Sequence, residues 1–267
     1  MDLKIGICGI GVVGKALKTV FEEKGIDVSE YDKYKKIGKM KYLLNTDINF
    51  LCLPTPYSES KKEYDKSSIH FICNYLSKNN YNGLTVIKST IEPGTCRYLT
   101  EGYKLNILHN PEFLSAKTAK EDFKNQEHIV IGGFDKNDKS IKLLKNFYKY
   151  YWKTSIISEG TYEETELMKI CINSFYSVKI QFFNEIYSLS KKFEEAKYNN
   201  IVDMMLKNKW ITPNHTQVPG TDGKLSYGGM CFPKDTNALY QQMIRKNTYS
   251  KVLKATIDER NIMRNNI

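Results

Sequence analysis

The residue with the clearest capacity for chemistry is Cys231, which lies in the run YGGMCFPKD at residues 227–235. Two glycines before it allow a ligand to approach the backbone closely, and a helix is predicted immediately after it, over residues 236–245. A cysteine at the edge of a helix N-terminus has its thiolate stabilised by the helix dipole, and here also by Lys234. Most cysteines are buried and structural, but this setting favours a nucleophile, with Asp235 as a candidate partner.

A second pair of candidate residues lies on a long helix predicted over residues 162 to about 193. This segment lacks proline and glycine, and its apolar residues recur at helical spacing. They occupy almost every side, so we expect a helix buried on all faces, which favours a place in a dimer core. Lys169 and Asn173 stand four residues apart on one face. Each is either a buried polar residue with a simple hydrogen-bond partner or part of a site, and spacing alone does not decide.

A dinucleotide-binding pattern opens the chain. A short apolar strand predicted at residues 4–8 runs into Gly9, Gly11 and Gly14, which are spaced as GxGxxG, and a helical repeat follows. In this context the first glycine permits a tight turn, the second lets backbone approach a pyrophosphate, and the third lets helix pack on strand. The positive end of the helix then binds the phosphates.

An acidic residue follows at the distance that this pattern requires. A second predicted strand ends at Asp32, where a carboxylate is expected to meet the adenine ribose hydroxyls. That carboxylate would repel a 2′-phosphate and so favours NAD over NADP, although the neighbouring Lys33 weakens the preference. The alternative interpretation of Asp32 is a surface carboxylate in a loop.

The elements that must position these residues form an α/β pattern. Further strands are predicted at 48–53, 85–88, 105–108, 128–132 and 154–157. Their alternation with helices predicts a Rossmann-like, doubly wound, mostly parallel sheet over residues 1–160, followed by an all-helical domain over 161–267. Three segments that follow strands, 54–56, 89–90 and 110–112, fall at the edge where such sheets bind ligands. Each alone is typical of a turn, but together they indicate a site.

Composition and charge narrow the class of protein. With 41% hydrophobic and 26% charged residues, the chain is typical of a soluble globular protein. Its apolar runs are too short for a membrane span, and its N-terminus does not resemble a signal peptide, so we expect a cytoplasmic protein without membrane association. The net charge is +10, but the lysines are scattered, and we expect no nucleic-acid partner. The six cysteines include no CxxC and the four histidines no ligand-like pair, so no metal site is expected.

Taken in order, these motifs resemble the UDP-glucose/GDP-mannose dehydrogenase family across nearly the whole chain. The matching runs are GICGIGVVG, KSTIEPGT (88–95), HNPEFL (109–114), IVIGG (129–133), KICINSF…KIQFFNEI (169–186) and YGGMCFPKD (227–235). The resemblance implies a four-electron oxidation of the primary alcohol of a nucleotide sugar to a carboxylate, with NAD used twice. It also implies that the long helix is a dimerising central helix, so a homodimer is expected.

The resemblance further implies roles for individual residues. Cys231 is expected to attack the aldehyde intermediate, giving a thiohemiacetal and then a thioester that water hydrolyses. The other implied catalytic residues are Lys169 and Asn173 at the oxyanion, Thr90 and Asp235 for water and protons, and Glu112 as a general base. The implied cofactor contacts are Gly9, Gly11, Gly14, Asp32, Lys33, Thr55 and Thr90. The implied substrate contacts are Glu112, Phe113, Leu114, Lys169, Asn173, Tyr227, Gly228 and Lys234.

Three features depart from the family pattern. Family members continue with a third domain that helps to hold the nucleotide, whereas here only one more helical stretch, 249–264, is expected. Ala116 stands where the family commonly has a second glutamate. In family members, an arginine of one subunit reaches the substrate of the neighbouring subunit. In this chain it is replaced in the run 208–211, at Trp210. The loop 215–223 is a candidate replacement for these contacts to the substrate.

Three functions therefore remain open. The leading one is the oxidation of UDP-glucose to UDP-glucuronate. The second is the oxidation of another nucleotide sugar, or of a smaller hydroxy compound that needs no third domain. The third is a catalytically weak, NAD-binding regulatory remnant. The presence of Cys231, Lys169, Asn173 and Asp235 argues against the remnant, because a decaying site loses such residues early.

Overall fold

The computed structural model describes residues 3–135 and 138–264, which form two compact units. The first unit comprises Met1–Pro56 and Tyr64–Lys169, and the second comprises Tyr57–Glu63 and Ile170–Ile267. The division falls inside the long helix, whereas the sequence predicted a boundary at 160/161, where that helix begins. The first turns of the helix belong with the sheet, because Glu166 bonds to the backbone of that unit and Tyr162 is buried in its core.

The helices and strands follow one another in the alternating order that the sequence predicted. They are β1 (Ile5–Cys8), α1 (Val12–Glu23), β2 (Val28–Tyr31), a 3₁₀ helix (Met40–Asn45), β3 (Ile48–Leu51), β4 (Tyr57–Ser58), β5 (Glu63–Tyr64), α2 (Ser67–Lys78), β6 (Leu84–Ile87), α3 (Thr95–Tyr103), β7 (Asn106–His109), α4 (Ala119–Lys124), β8 (His128–Gly133), α5 (Lys139–Tyr151), β9 (Ile156–Thr161), α6 (Tyr162–Ser190), α7 (Tyr198–Lys207), α8 (Phe232–Arg245) and α9 (Lys251–Met263).

The main sheet has seven strands in the order β2-β1-β3-β6-β7-β8-β9. The first five pair in parallel, with Ile5 opposite both Val28 and Ile48. Strand β8 runs antiparallel to β7 and parallel to β9. The predicted Rossmann-like, mostly parallel sheet is therefore confirmed. Every residue of β1, β3 and β6 is buried, as both faces of a parallel sheet require, and this explains why apolar residues dominate these strands, with Asn49 and Thr85 as buried polar residues among them.

The last strand, β9, occupies Ile156–Thr161, whereas the sequence predicted a strand at 154–157. Its residues are half-buried or exposed apart from Gly160, and the last four, Ser158, Glu159, Gly160 and Thr161, are not apolar. The sequence therefore carries little hydrophobic pattern there, and its end was missed because the strand lies at the edge of the sheet.

The core of the first unit contains a cluster of aromatic side chains. Phe21, on α1, contacts the rings of Phe50, Phe123, Phe147 and Trp152, with ring centroids 5.4 to 6.2 Å apart. Trp152 is only 5% exposed, and its indole N–H donates to the carbonyl oxygen of Lys124 at 3.0 Å. The cluster packs α1, α4 and α5 against one face of the sheet and so fixes the helix that follows the glycine-rich turn.

The second unit is helical, and two of its helices differ from the prediction. Helix α8 begins at Phe232 and not at residue 236, because Pro233 occupies its first turn, where proline costs no hydrogen bond. Helix α6 is not buried on all faces. Phe175, Phe182 and Leu189 are 63%, 48% and 54% exposed, so one side of the helix is uncovered in the single chain. Among the helices of the described chain, none combines the length and apolar character that crossing a bilayer requires.

Candidate active site

The glycine-rich turn between β1 and α1 has the geometry that the GxGxxG spacing predicts. Gly9 adopts φ +91°, a conformation that side chains disfavour, and its N–H donates to the carbonyl oxygen of Tyr31 at 2.8 Å. A Cβ on Gly14 would lie 1.9 Å from the carbonyl oxygen of Gly9, so only glycine lets the helix pack this closely. Gly11, the N-cap of α1, faces open space within 4 Å of its Cβ position. The start of α1 is thus free to receive a phosphate group.

The carboxylate of Asp32 fastens this turn to the end of β2. It accepts hydrogen bonds from the backbone N–H groups of Ile10 at 2.8 Å, Tyr34 at 3.0 Å and Lys35 at 2.9 Å. Burial raises the pKa of Asp32, but the three backbone donors outweigh burial and hold the pKa below its ordinary value. An ionised carboxylate retains lone pairs beyond these three bonds, so Asp32 keeps the capacity to accept from a ribose hydroxyl.

A cavity of about 290 Å³ lies beside Asp32 and Gly9. Leu53 and Phe71 form apolar walls, and the ammonium group of Lys33 lies 5.0 Å from the centre of the Phe71 ring. Apolar walls suit an adenine ring, the carboxylate suits its ribose, and the glycine-rich turn suits the pyrophosphate. These residues therefore fit the adenosine part of a dinucleotide, and three of the predicted cofactor contacts meet there.

The segments that follow β3 and β6 are tied together at the same edge of the sheet. The hydroxyl of Ser89 donates to the carbonyl oxygen of Leu53 at 2.6 Å and accepts from the N–H of Leu53 at 3.0 Å. The hydroxyl of Thr55 donates to the carbonyl oxygen of Thr90 at 2.8 Å, and Thr55 is 6% exposed. The structure thus brings the two predicted threonines together, and the side chain of Thr55 holds the backbone of Thr90 in place.

Four predicted site residues meet where β7 ends and α6 begins. Lys169, 5% exposed, donates to the carbonyl oxygen of Glu112 and lies 3.8 Å from its carboxylate. The ammonium group is 5.0 Å from the centre of the Phe113 ring. The other carboxylate oxygen of Glu112 accepts from the N–H of Leu114 at 2.5 Å. A buried ammonium beside a carboxylate is able to stabilise a developing oxyanion while the carboxylate takes a proton.

Two further buried groups lie close to this pair, and the sequence did not single them out. Lys88, 3% exposed, donates to the side-chain oxygen of Asn110 at 2.9 Å, and burial lowers its pKa to about 8. Burial, and then the positive charges of Lys88 and Lys169, lower the pKa of His109 to about 3, so this imidazole is neutral. The sequence offered one signal for these two residues, which is that Lys88 directly follows β6 and His109 ends β7. A charged or titratable residue buried at the end of a strand often marks a functional site.

In the second unit, Cys231 is the N-cap residue of α8. None of the six cysteines, which all lie in the described part of the chain, forms a disulfide; Cys231 is exposed, Cys52 and Cys171 are half-buried, and Cys8, Cys73 and Cys96 are buried. Two residues before Cys231, Gly229 adopts φ +76°, which turns the chain into the helix. An exposed thiol at the start of a helix is placed to act as a nucleophile. The described residues contain no cluster of three or more histidine, cysteine, aspartate or glutamate side chains arranged to hold a metal ion.

One turn after Cys231, Asp235 is completely buried and forms bonds with two predicted site residues. Its carboxylate accepts from the amide of Asn173 at 2.6 Å and from the ammonium of Lys234 at 2.5 Å. Its backbone N–H donates to the carbonyl oxygen of Cys231 at 3.0 Å. The structure therefore brings three of the predicted site residues together, with the amide of Asn173 and the ammonium of Lys234 both bonded to Asp235.

The face of α6 that carries Asn173 continues as a buried polar stripe that the sequence analysis missed. We define the stripe as Asn173, Ser177, Gln181 and Asn184, all of which are buried. Ser177 accepts from the hydroxyl of Thr236 at 2.7 Å, and Gln181 accepts from the hydroxyl of Ser226 at 2.6 Å. The stripe thus forms hydrogen bonds to residues on both sides of Cys231. Polar residues spaced four, four and three apart in an apolar helix were the signal that marked it.

Two predicted substrate contacts, Tyr227 and Gly228, lie between Ser226 and Cys231, in the segment that the polar stripe holds. Tyr227 is 2% exposed, and burial raises the pKa of its phenol to about 12, so its ring belongs to the core of the second unit. A Cβ on Gly228 would lie 2.5 to 2.9 Å from the guanidinium of Arg264. Contacts of this segment to a ligand are therefore left to the backbone. Trp210, in the run where the resemblance expects an arginine, is 90% exposed.

The fold and these sites define a class of protein: a dinucleotide-binding α/β domain joined to a helical domain that carries an exposed cysteine at a helix start. Comparison of the sequence with known families gives a sharper result. The NAD-binding domain of one family matches residues 38–152, and the central domain of the same family matches residues 163–261. The chain belongs to the UDP-glucose/GDP-mannose dehydrogenase family, as its motifs predicted, and NAD is the cofactor of that family's N-terminal domain.

Individual relatives show both how similar the chain is and how far the similarity extends. It is 35% identical to UDP-glucose 6-dehydrogenase of Rickettsia bellii over 80% of this chain and 49% of the relative. It is 27% identical to GDP-mannose 6-dehydrogenase of Pseudomonas aeruginosa over 74% of this chain and 47% of the relative. The structure of a UDP-glucose dehydrogenase from Pyrobaculum islandicum has the same fold, with a TM-score of 0.87 at 22% identity over 99% of this chain and 69% of that chain. The chain spans about half the length of the curated relatives it matches.

Proposed function

We propose that the chain is an NAD-dependent nucleotide-sugar 6-dehydrogenase, with UDP-glucose as the first substrate to test. The observation that carries the proposal is Cys231 at the start of α8, one helical turn before the buried carboxylate of Asp235, which is bonded to Asn173. A reaction that stopped at the aldehyde would need no nucleophile. An exposed thiol in a family of NAD-dependent dehydrogenases supports a second oxidation through a covalent intermediate.

In the first oxidation, the sugar alcohol loses a proton from its hydroxyl and a hydride from its carbon. Glu112 is the general base for the proton, and its carboxylate lies 3.8 Å from the buried ammonium of Lys169. Lys169 and Asn173 stabilise the oxyanion. Each has a donor to spare, because an ammonium carries three N–H bonds and a primary amide two. Bound NAD accepts the hydride in this oxidation and in the next.

In the second oxidation, the thiolate of Cys231 forms a bond to the aldehyde carbon and gives a thiohemiacetal. Loss of a hydride from that carbon leaves a thioester. Water then attacks the thioester carbon, the C–S bond breaks, and the thiolate of Cys231 is restored. Thr90 and Asp235 have the role of holding this water and taking its protons. In total, one alcohol, one water and two NAD⁺ give one carboxylate, two NADH and three protons.

The nature of the sugar is the finer part of the proposal, and two positions bear on it. Ala116 and Trp210 stand where the family resemblance expects a glutamate and an arginine, and Trp210 is 90% exposed. Either change alters the groups that are offered to a nucleotide or a sugar, so another nucleotide sugar or a smaller hydroxy compound is the second candidate substrate class.

We further propose that two copies of the chain associate through α6. Phe175, Phe182 and Leu189 repeat every seven residues along the helix and are about half exposed or more in the single chain. A seven-residue apolar repeat on one face is the pattern by which two helices pack together. We also propose a cytoplasmic location, which agrees with six cysteines of which none is joined in a disulfide.

The test of the proposed function is NADH formation with purified protein, NAD and a panel of nucleotide sugars that includes UDP-glucose and GDP-mannose. We expect one sugar to give two NADH per molecule oxidised. Cys231→Ser is expected to stop the second oxidation, so that aldehyde forms without carboxylate, whereas Cys171→Ser, a change at a half-buried cysteine, leaves the stoichiometry at two. If the native protein binds NAD but oxidises no member of the panel, the regulatory remnant becomes the better interpretation.

A further inference from the structure

The proposed reaction gives no role to Arg264, which follows α9 and is held firmly in the second unit. Its side chain is 9% exposed. One terminal nitrogen, Nη2, donates to the carbonyl oxygen of Ser226 at 2.9 Å, and the other, Nη1, pairs with the carboxylate of Asp222 at 2.9 Å. A guanidinium has its donors in a fixed fork, so these two bonds set the position of its plane. Asp222 and Ser226 both belong to the stretch that leads to the cysteine.

The plane of this guanidinium lies against Gly228. A Cβ at Gly228 would be 2.5 Å from Nη1, 2.7 Å from Cζ and 2.9 Å from Nη2 of Arg264. Any side chain at position 228 would therefore displace the arginine. The contact with Arg264 explains why position 228 is a glycine. This reason adds to the one given by the sequence, that a glycine lets a ligand approach the backbone closely.

Ser226 shows why the segment needs to be held. Its φ is +57°, in the left-handed region that residues with a side chain disfavour. Three bonds from three different side chains hold it there. Its N–H donates to Asn184 at 2.8 Å, its hydroxyl donates to Gln181 at 2.6 Å, and its carbonyl accepts from Arg264. Two of these partners lie on α6, and Arg264 supplies the one that comes from the end of α9.

We propose that Arg264 is a positioning residue for Cys231: it fixes the backbone of residues 226–228 and so keeps the thiol at the first turn of α8. This inference rests on the proposed function, in which Cys231 is the nucleophile of the second oxidation. The first oxidation does not use the thiol. Loss of the arginine should therefore affect the second oxidation far more than the first, which a merely structural residue would not do.

The first experiment needs neither substrate nor cofactor. Full-length native protein and Arg264→Met are treated with iodoacetamide at one pH, and alkylation of Cys231 is followed by peptide mass spectrometry. We expect the rate at Cys231 to fall roughly two- to fivefold in the variant, the factor that corresponds to losing the influence of a helix N-terminus on a charge. Lys254→Met removes an exposed cation from α9 and is the matched control, with no change expected. An unchanged rate in Arg264→Met overturns the proposal.

The second experiment measures aldehyde and carboxylate formed with the sugar that the native protein oxidises. Arg264→Met and Gly228→Ala are each expected to release aldehyde and to form less than two NADH per sugar. Because Gly228→Ala acts by displacing the arginine, adding it to Arg264→Met should change the ratio little further. Equal loss of both oxidations in either variant, or effects that simply add, would overturn the positioning role. If the native protein oxidises no sugar, the proposed function fails, and the alkylation rates still decide whether Arg264 positions the thiol.

Discussion

Three charged side chains form hydrogen bonds to backbone groups of the first unit: Asp32, Glu166 and Lys169. Asp32 holds the glycine-rich turn, and Lys169 holds the carbonyl of Glu112. Glu166 accepts from the N–H groups of Gly94 at 2.6 Å and Cys96 at 2.7 Å, at the start of α3. Each bond fixes a segment at the edge of the sheet where strands end. Residues that bind ligands in this fold lie on such segments, so these side chains determine how rigid the sites are.

The first prediction at this scale concerns Asp32. Asp32→Ala removes the acceptor of three backbone N–H groups and the anion expected at the ribose. Because hydrogen bonds to a charged group contribute about 1.5–3 kcal/mol, we expect the affinity for NAD to fall by roughly tenfold or more. Calorimetric titration with NAD measures this, and Asp27→Ala, at an exposed aspartate before β2, is the control. Equal affinity in both variants would show that Asp32 has no part in the cofactor site.

The second prediction concerns the pH dependence that Lys88 gives to stability. Burial lowers its pKa from 10.5 to about 8. Between these two values the unfolded chain binds more protons than the folded one, so the free energy of unfolding rises with pH across this window. Relative to Lys88→Met, the native protein should gain stability from pH 8 to pH 10.5, by up to about 3 kcal/mol. Urea unfolding at several pH values measures the difference, and Lys78→Met, at an exposed lysine of α2, is the control. If the difference in the free energy of unfolding between the native protein and Lys88→Met does not vary with pH, the lowered pKa of Lys88 is contradicted.

At the scale of elements, helix α6 has two faces with different tasks. Its polar stripe binds the segment around Cys231, and its exposed face carries Phe175, Phe182 and Leu189.

The glycine-rich turn was predictable from the sequence because its residues lie within a few positions of one another. The polar stripe was not recognised, because its partner Ser226 is 45 residues away from Gln181 in the chain. Likewise, the start of α8 was missed because Pro233 resembles a break until its place in the first turn is known.

The polar stripe provides the prediction at this scale. Gln181→Leu has a similar volume but leaves the hydroxyl of Ser226 without its acceptor, and an unsatisfied buried group costs about 1–3 kcal/mol. We expect the free energy of unfolding to fall by that amount in chemical denaturation. Ser188→Ala, on the same helix, removes a hydroxyl that donates to the carbonyl of Asn184 and should change stability little. Equal effects of the two substitutions would show that the bond to Ser226 contributes nothing specific.

At the scale of the whole molecule, the exposed face of α6 leads to a prediction about assembly. Phe182→Glu places a charge in the middle of the seven-residue repeat, where burial against a second copy would desolvate it. We expect the native protein to have the mass of a dimer in light scattering after size exclusion, and the variant the mass of a monomer. Tyr249→Ser, at a fully exposed aromatic residue outside α6, is the control and should remain a dimer. A native protein that is monomeric at all concentrations would contradict the dimer.

The two tryptophans, Trp152 and Trp210, give each compact unit its own optical reporter. Trp152 is enclosed in the aromatic core of the first unit, so its fluorescence should be blue-shifted and shielded from a soluble quencher such as acrylamide. Trp210, in the second unit, is 90% exposed and should emit at longer wavelength and be quenched readily. Quencher titration of the unlabelled protein therefore separates the signals of the two units, and any ligand that covers Trp210 should protect the long-wavelength component alone.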